Sequence, residues 1–311
     1  LKIIVTGGAG FIGSHVVRRL AEGGHEVTIV DNFDPFYPRR FKEENLASLP
    51  SPLCIVEADI CDMKALRQVP GDCEVILHLA AQAGARHSIR DPLKFQMVNV
   101  IGTMNVLEMA RERSVSHFVF ASSSSVYGTN PHVPWQEEDL LFPVNPYAAS
   151  KISGELLGRV YSHLHGIRFV ALRLFTVYGP RQRPDLAIRK FVELMLRGEK
   201  IPVFGDGSTS RDYTYVDDVV DGIVAAVHYR QSAYEVINLG SSRPISMREL
   251  VRTLEEILCR TAILDVHPTV EGEASCTHAD ISKARRLLDY SPTTRFADGV
   301  ANLVAWLGER K

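Results

Sequence analysis

The sequence predicts an α/β fold in which a doubly wound parallel sheet precedes a smaller C-terminal α/β domain. Three observations predict it. Short β-branched runs alternate with helical patterns through the first half of the 311-residue chain, as expected of βαβ units whose sheet is buried on both faces. The first of these runs passes directly into a glycine-rich turn and then a helix. After Leu174 the chain changes character, with more arginine and more punctuation, at Gly179-Pro180, Gly205-Asp206-Gly207 and Ser241-Ser242-Arg243-Pro244.

The elements follow in order. The strands are expected at Ile3–Thr6, Glu26–Val30, Cys54–Ala58, Val75–Leu79, Phe118–Ala121 and Phe169–Leu174, where apolar β-branched residues concentrate. Between them, Ile12–Glu22, Leu93–Arg113 and Tyr147–His165 carry helical periodicity. The last two are long and apolar on more than one side, so one face of each is expected to bury against a second copy of the chain. Further on, Gly198–Gly207 reads as strand and turn, and Asp217–Tyr229 and Met247–Cys259 read as helices. The boundary is placed between residues 1–175 and 176–311, with parts of about 213–240 packing back on the first domain.

Composition narrows the function. The length allows an ample core. With 35 Lys+Arg against 37 Asp+Glu, the formal charge of -2 gives no reason to expect nucleic acid or an anionic membrane as a partner. No apolar run approaches the ~20 residues of a membrane span. The apolar strand Lys2-Ile3-Ile4-Val5 carries no basic leader, so a secretory signal is not expected. Cys54, Cys61, Cys73, Cys259 and Cys276 show no C-x-x-C spacing and suit free thiols in a cytoplasmic protein.

The turn Gly7-Gly8-Ala9-Gly10-Phe11-Ile12-Gly13 has the form G-x-x-G-x-x-G. Gly7 suits a tight turn, Gly10 a close approach of backbone to a pyrophosphate, and Gly13 close helix–strand packing. The helix that follows offers free N–H groups to the anion. The turn thus points to a Rossmann-type first domain. Asp31, at the end of the next run, suits the ribose hydroxyls of NAD and would repel the 2′-phosphate of NADP. Arg39 and Arg40 follow it, however, and leave NADP open. Asp59 and Ile60 fall where they could edge the adenine, although Asp59 equally suits a turn.

Tyr147 and Lys151 stand four residues apart, on one face if the stretch is helical. An ammonium beside a phenol favours the phenolate, which makes the pair a candidate general base for a hydroxyl proton. The same spacing is common on solvated helix faces.

The motifs TGGAGFIGSH, HLAAQAG, ASSSSVYG and PYAASK, in that order, resemble the extended short-chain dehydrogenase/reductase superfamily, and within it the nucleotide-sugar epimerase/dehydratase branch. The resemblance spans nearly the whole chain. It implies a Ser123–Tyr147–Lys151 triad acting on a sugar C4 hydroxyl, with NAD tightly bound and recycled within each turnover. It implies a cofactor site built from Gly7, Gly10, Phe11, Ile12, Gly13, Asp31, Asn32, Asp59, Ile60, Leu79, Ala80, Ala81, Gln82, Asn99, Ser122, Tyr147 and Lys151. It also implies a homodimer joined by a four-helix bundle of the long helices. Asn99 is expected to contact the cofactor or support the site.

Specificity is read from other segments. Gly84–Ser88, ASSSSVYG and Thr176–Asp185 look most like UDP-glucuronate 4-epimerases. That resemblance implies Ser124, Ser125 and Thr176 around the sugar carboxylate, with Arg183 close by and Arg86 near the cofactor phosphates or the same network. Arg211 is expected on the diphosphate, where a guanidinium suits paired hydrogen bonds, and Phe204 on uracil or in the core. Dehydratases and decarboxylases of the branch carry an acid just after the catalytic Ser/Thr; here Ser124 and Ser125 stand there. UDP-glucose 4-epimerase is the nearest alternative, and a non-catalytic NAD-binding scaffold a more distant one. An arginine common near this point in relatives is replaced by Val270-Glu271-Gly272-Glu273.

Overall fold

The computed structural model describes residues 1–50, 53–268 and 274–309; the segment Val270–Glu273 therefore lies outside the described residues. The strands are β1 (Lys2–Thr6), β2 (Glu26–Asp31), β3 (Cys54–Glu57), β4 (Val75–His78), β5 (His117–Ser123), β6 (Arg168–Leu174), β7 (Thr176–Tyr178), β8 (Ile201–Phe204), β9 (Ser210–Tyr215), β10 (Tyr234–Leu239), β11 (Pro244–Ser246) and β12 (Leu264–His267). The helices that matter for the site are α1 (Phe11–Glu22), α2 (Arg39–Ala47), α3 (Met63–Arg67), α4 (Ala85–Arg90), α5 (Pro92–Gln96), α6 (Thr103–Glu112), α7 (Pro146–His165), α8 (Ala187–Leu196) and α9 (Val216–His228).

Seven parallel strands form one sheet in the order β10-β6-β5-β4-β1-β2-β3. Alternate residues feed the two faces. Ile3 and Val5 enter one core cluster and Ile4 the other; Val119 and Ala121 oppose Phe118 and Phe120 in the same way. Strand β10 comes from the later part of the chain and pairs with β6, Tyr234 opposite Phe169. Helix α9, just before it, packs on the first domain, where Arg19 pairs with Asp221 and His15 Nδ1 lies 3.6 Å from Asp217. The smaller region holds a three-stranded sheet, β11-β9-β7, and a two-stranded one, β12-β8.

The expected strands and long helices are present, with one difference. The stretch expected as one helix from Leu93 to Arg113 is interrupted by a single π-helical turn, Met97–Gly102, between α5 and α6. The wider turn carries Asn99, whose side-chain oxygen accepts from the Gln82 N–H at 2.8 Å while its amide donates to the Gln82 carbonyl at 2.9 Å. Helix α7 lies close on the sheet because Gly154 and Gly158 face Phe120 and Phe169, where a Cβ would collide with either ring. Asn145 caps α7 by accepting from the Ala148 N–H at 2.9 Å, and Pro146 opens its first turn.

Candidate active site

The strand order reverses between β1 and β4, and a cavity of about 400 Å³ opens there along the carboxyl ends of the sheet. Gly7, Gly10, Phe11, Ile12, Gly13, Asp31, Asn32, Ile60, Leu79, Ala80, Ala81 and Gln82 line one end of it. Ser122, Ser123, Ser124, Ser125, Tyr147, Lys151, Thr176 and Arg183 line the rest. Twenty of the residues singled out in the sequence thus meet at one surface, although they come from strands, loops and helices spread between Gly7 and Arg183.

The glycine turn is shaped by backbone contact. Gly7 has φ +73°, and a Cβ on it would sit 2.7 Å from the Ala80 nitrogen. A Cβ on Gly13 would enter the Gly7 carbonyl and lie 2.8 Å from Gly8 Cα. On Gly10 a Cβ would meet no protein atom closer than the Gly7 carbonyl, at 3.2 Å. The turn therefore leaves a bare concave wall at the start of α1, as a dinucleotide pyrophosphate requires. Asp31 is buried beside it; its Oδ2 accepts from Ala9 N–H at 3.2 Å and its Oδ1 from Phe33 N–H at 2.9 Å. These features fit NAD.

Sequence reading missed the cation of this subsite. Lys42 Nζ lies 2.9 Å from Asp31 Oδ1, and the pair is buried. Arg39 instead forms a fork with Glu57 on the outside of α2, at 2.7 and 2.8 Å, and Arg40 lies over Phe41. Phe36, Tyr37 and Asp185 also line the cavity without having been singled out. No local spacing signals them; each reaches the site only through the loop that follows β2 or β7.

Five expected residues do not line this cavity. Asp59 accepts from Asn32 Nδ2 at 2.9 Å and from Cys61 N–H at 2.7 Å, as a turn aspartate does. Asn99 sits beneath the floor, tying Gln82 to Ser150, whose hydroxyl accepts from the Asn99 amide at 2.9 Å. Arg86 reaches across to lie 4.4 Å from the centroid of Phe204, which stacks on His267 at 5.3 Å. Arg211, on β9, donates to the Ser210 carbonyl at 2.9 Å.

At the chemical centre, Tyr147 and Lys151 share the inner face of α7. The Lys151 ammonium donates to the Ala121 carbonyl at 2.7 Å and lies 5.0 Å and 5.9 Å from the centroids of Phe120 and Tyr147. Burial pushes its pKa down to about 7, against a pull from Glu155 in the other direction. The Tyr147 phenol opens on the cavity but is densely surrounded by protein. That burial raises its pKa, outweighing a hydrogen bond with Ser123 and the nearby Arg183 charge, which both lower it. Burial is thus the largest influence on the phenol, and the nearby charge that eases its ionisation is that of Arg183. Ser123 Oγ accepts from the Ser125 N–H at 3.2 Å, which fixes its hydroxyl toward the cavity-lining serines.

Residues 3–240 match the profile of the NAD dependent epimerase/dehydratase family. This chain belongs to that family. It is 36% identical to a probable UDP-glucuronate 4-epimerase of Rhizobium meliloti (strain 1021), over 98% of this chain and 96% of the relative. UDP-glucuronic acid 4-epimerase from Bacillus cereus, solved with UDP-glucuronic acid and NAD, superposes with a TM-score of 0.93 at 37% identity, with both chains fully covered. UDP-glucose 4-epimerase from Thermotoga maritima, solved with UDP-glucose, superposes with a TM-score of 0.91 at 34% identity, over 100% of this chain and 99% of that one. As a member of the NAD dependent epimerase/dehydratase family, the protein is an NAD-dependent isomerase. Among the described residues no helix is long and apolar enough to cross a membrane.

Proposed function

We propose that the protein is a UDP-sugar 4-epimerase that interconverts UDP-glucuronate and UDP-galacturonate. The observation that carries the choice of sugar is the wall facing Tyr147. It presents the hydroxyls of Ser124, Ser125 and Thr176 and the guanidinium of Arg183, with no acid between Ser123 and Val126. Hydroxyls and a guanidinium suit a carboxylate, and the missing acid removes the means of eliminating water or losing CO₂. The relatives that act on UDP-glucuronate support the same reading.

The residues divide the work as follows. Gly7, Gly10, Gly13, Asp31 and Lys42 would hold the dinucleotide, which when bound supplies the acceptor and later the donor of one hydride. Tyr147 Oη takes the proton of the sugar C4 hydroxyl and returns it after the 4-ketone has turned over. Ser123 hydrogen-bonds the reacting oxygen. Lys151 and Arg183 supply positive charge that favours the phenolate against the burial that opposes it. Ser124, Ser125 and Thr176 hold the carboxylate out of the alignment in which a β-keto acid loses CO₂.

One observation favours UDP-glucose instead. Arg183 already makes a fork with Asp185, at 3.0 and 2.7 Å, and donates to the Ala83 carbonyl at 3.3 Å. A uronate must share that fork or displace Asp185. Incubation with UDP-glucuronate, UDP-glucose and UDP-galactose in turn, with products identified by NMR, decides between the two. UDP-galacturonate as main product is expected; turnover of the neutral sugars alone would reverse the assignment. Tyr147→Phe is expected to slow epimerisation about a thousandfold while NAD stays bound, and an active variant removes Tyr147 as base.

We also propose a homodimer. Leu93, Met97 and Ile101 on the α5–α6 segment, and Leu156, Val160 and Leu164 on α7, form an exposed apolar surface of the kind that marks an interaction site. Leu156→Glu is expected to give a monomer by sedimentation; an unchanged dimer places the interface elsewhere.

A further inference from the structure

Behind the candidate base lies a buried ion pair that the reaction as described does not use. Glu155 follows Lys151 by one helical turn and is 4% exposed; Arg173, on β6, is equally buried. The Arg173 guanidinium forms a fork on the Glu155 carboxylate, Nε to Oε1 at 3.0 Å and Nη2 to Oε2 at 2.8 Å. Its remaining nitrogen donates to Tyr127 Oη and to the Glu137 carbonyl, both at 3.0 Å. Ser122 adds a further hydrogen bond to Glu155 Oε1. That serine lies between Ala121, whose carbonyl holds Lys151, and Ser123, which faces Tyr147. The carboxylate is thus fixed on the strand that presents the serine and on the helix that presents the lysine.

We propose that Glu155 is a positioning residue for the reaction, its carboxylate, pinned by Arg173 and Ser122, holding Lys151 in the ammonium form from one turn away. The proposal rests on the reading of Lys151 as a partner of Tyr147. The surroundings of Lys151 leave few other candidates. From α7 it faces Tyr147 and Glu155. From β5 it meets the Ala121 carbonyl and the Phe120 ring. From β4 it meets His78, which burial keeps neutral by pushing its pKa down to about 3. From β6 comes Arg173, whose charge the carboxylate itself answers. Two aromatic rings and one carbonyl replace the water shell of an ammonium only in part. A fixed anion one turn away supplies the remainder, and the fork keeps that anion from swinging onto Lys151 and drawing it away from the cavity.

The test is a titration of the NAD-free protein labelled with 13Cε-lysine, followed by NMR, with the Lys151 signal assigned by its loss in Lys151→Met. Glu155→Gln is expected to lower the Lys151 midpoint by about one to two pH units, and Glu155→Asp, which keeps the charge, to restore most of it. The alkaline limb of the kcat profile should move down in step, because the ammonium is lost at lower pH. An unmoved midpoint in folded Glu155→Gln overturns the proposal. Where the unpaired Arg173 prevents that variant from folding, Glu155→Leu/Arg173→Met leaves no lone buried charge. A smaller downward shift is expected there, because the opposing charge of the guanidinium leaves with the carboxylate, and an unmoved midpoint is again fatal. The two readings fail separately. A Lys151→Met enzyme that still epimerises removes Lys151 from the reaction, and Glu155 with it, whatever the midpoint does. An inactive Lys151→Met beside an unmoved midpoint removes Glu155 alone.

Discussion

At the glycine turn after β1 the wall is main chain; at the far end of the cavity it is side chains drawn from several separate segments. The glycine turn meets Ala80 and itself at backbone distance, and no side chain of the turn is needed to make its shape. Around Tyr147 the surface depends on Ser123 bonded to Ser125, on Arg183 stacked over Phe36 at 5.0 Å and forked on Asp185, and on Phe36 set edge-on to His87 at 4.9 Å. A wall of main chain suits a ligand that stays the same from relative to relative. A wall of interchangeable side chains suits a ligand that differs, and here the charges on that wall answer one another before any sugar arrives.

The contrast can be broken at either end. Gly13→Val drives a side chain into the Gly7 carbonyl and is expected to weaken NAD binding at least about a hundredfold, read by fluorescence titration with NADH. Retained affinity would show that the turn yields more than its contacts allow. Arg183→Met acts on the other wall. It is expected to lower the preference for UDP-glucuronate over UDP-glucose about tenfold, measured as the ratio of kcat/KM, with NAD affinity unchanged. A constant ratio would assign the charged subsite to other residues. The smallest effect is expected from Thr176→Val, which removes one hydroxyl and should raise the fraction of decarboxylated UDP-pentose about fivefold; a product ratio that does not move discards the hydroxyl cradle.

The same division governs what the sequence made legible. Gly7, Gly10 and Gly13 lie within one short turn, and Tyr147 and Lys151 within one helical turn, so local rules reach them. The parallel sheet follows from the βαβ pattern for the same reason. Lys42 could not be told from Arg39 and Arg40, because which cation of the segment turns inward depends on where α2 lands against Glu57. Asp185 and Phe36 are joined only through Arg183, which bonds the one and stacks on the other. Arg86, expected near the cofactor phosphates or the carboxylate network, and Phe204, expected on uracil or in the core, meet one another, a cation on a ring, across the two regions of the molecule. The π-helical turn at Met97–Gly102 is not legible because its residues read as ordinary helix; it carries the Asn99 amide to the Gln82 backbone.

That turn has a mechanical consequence. One amide, Asn99, grips both backbone groups of Gln82 and the hydroxyl of Ser150, and Ser150 in turn donates to the Tyr147 carbonyl at 2.7 Å. The loop that lines the dinucleotide end and the first turn of the helix that carries the phenol are therefore coupled as a single rigid bracket. A displacement of the cofactor loop reaches the backbone of Tyr147 through this chain of hydrogen bonds rather than across the cavity. The distance between the two reacting ends is held by a part of the protein that touches neither.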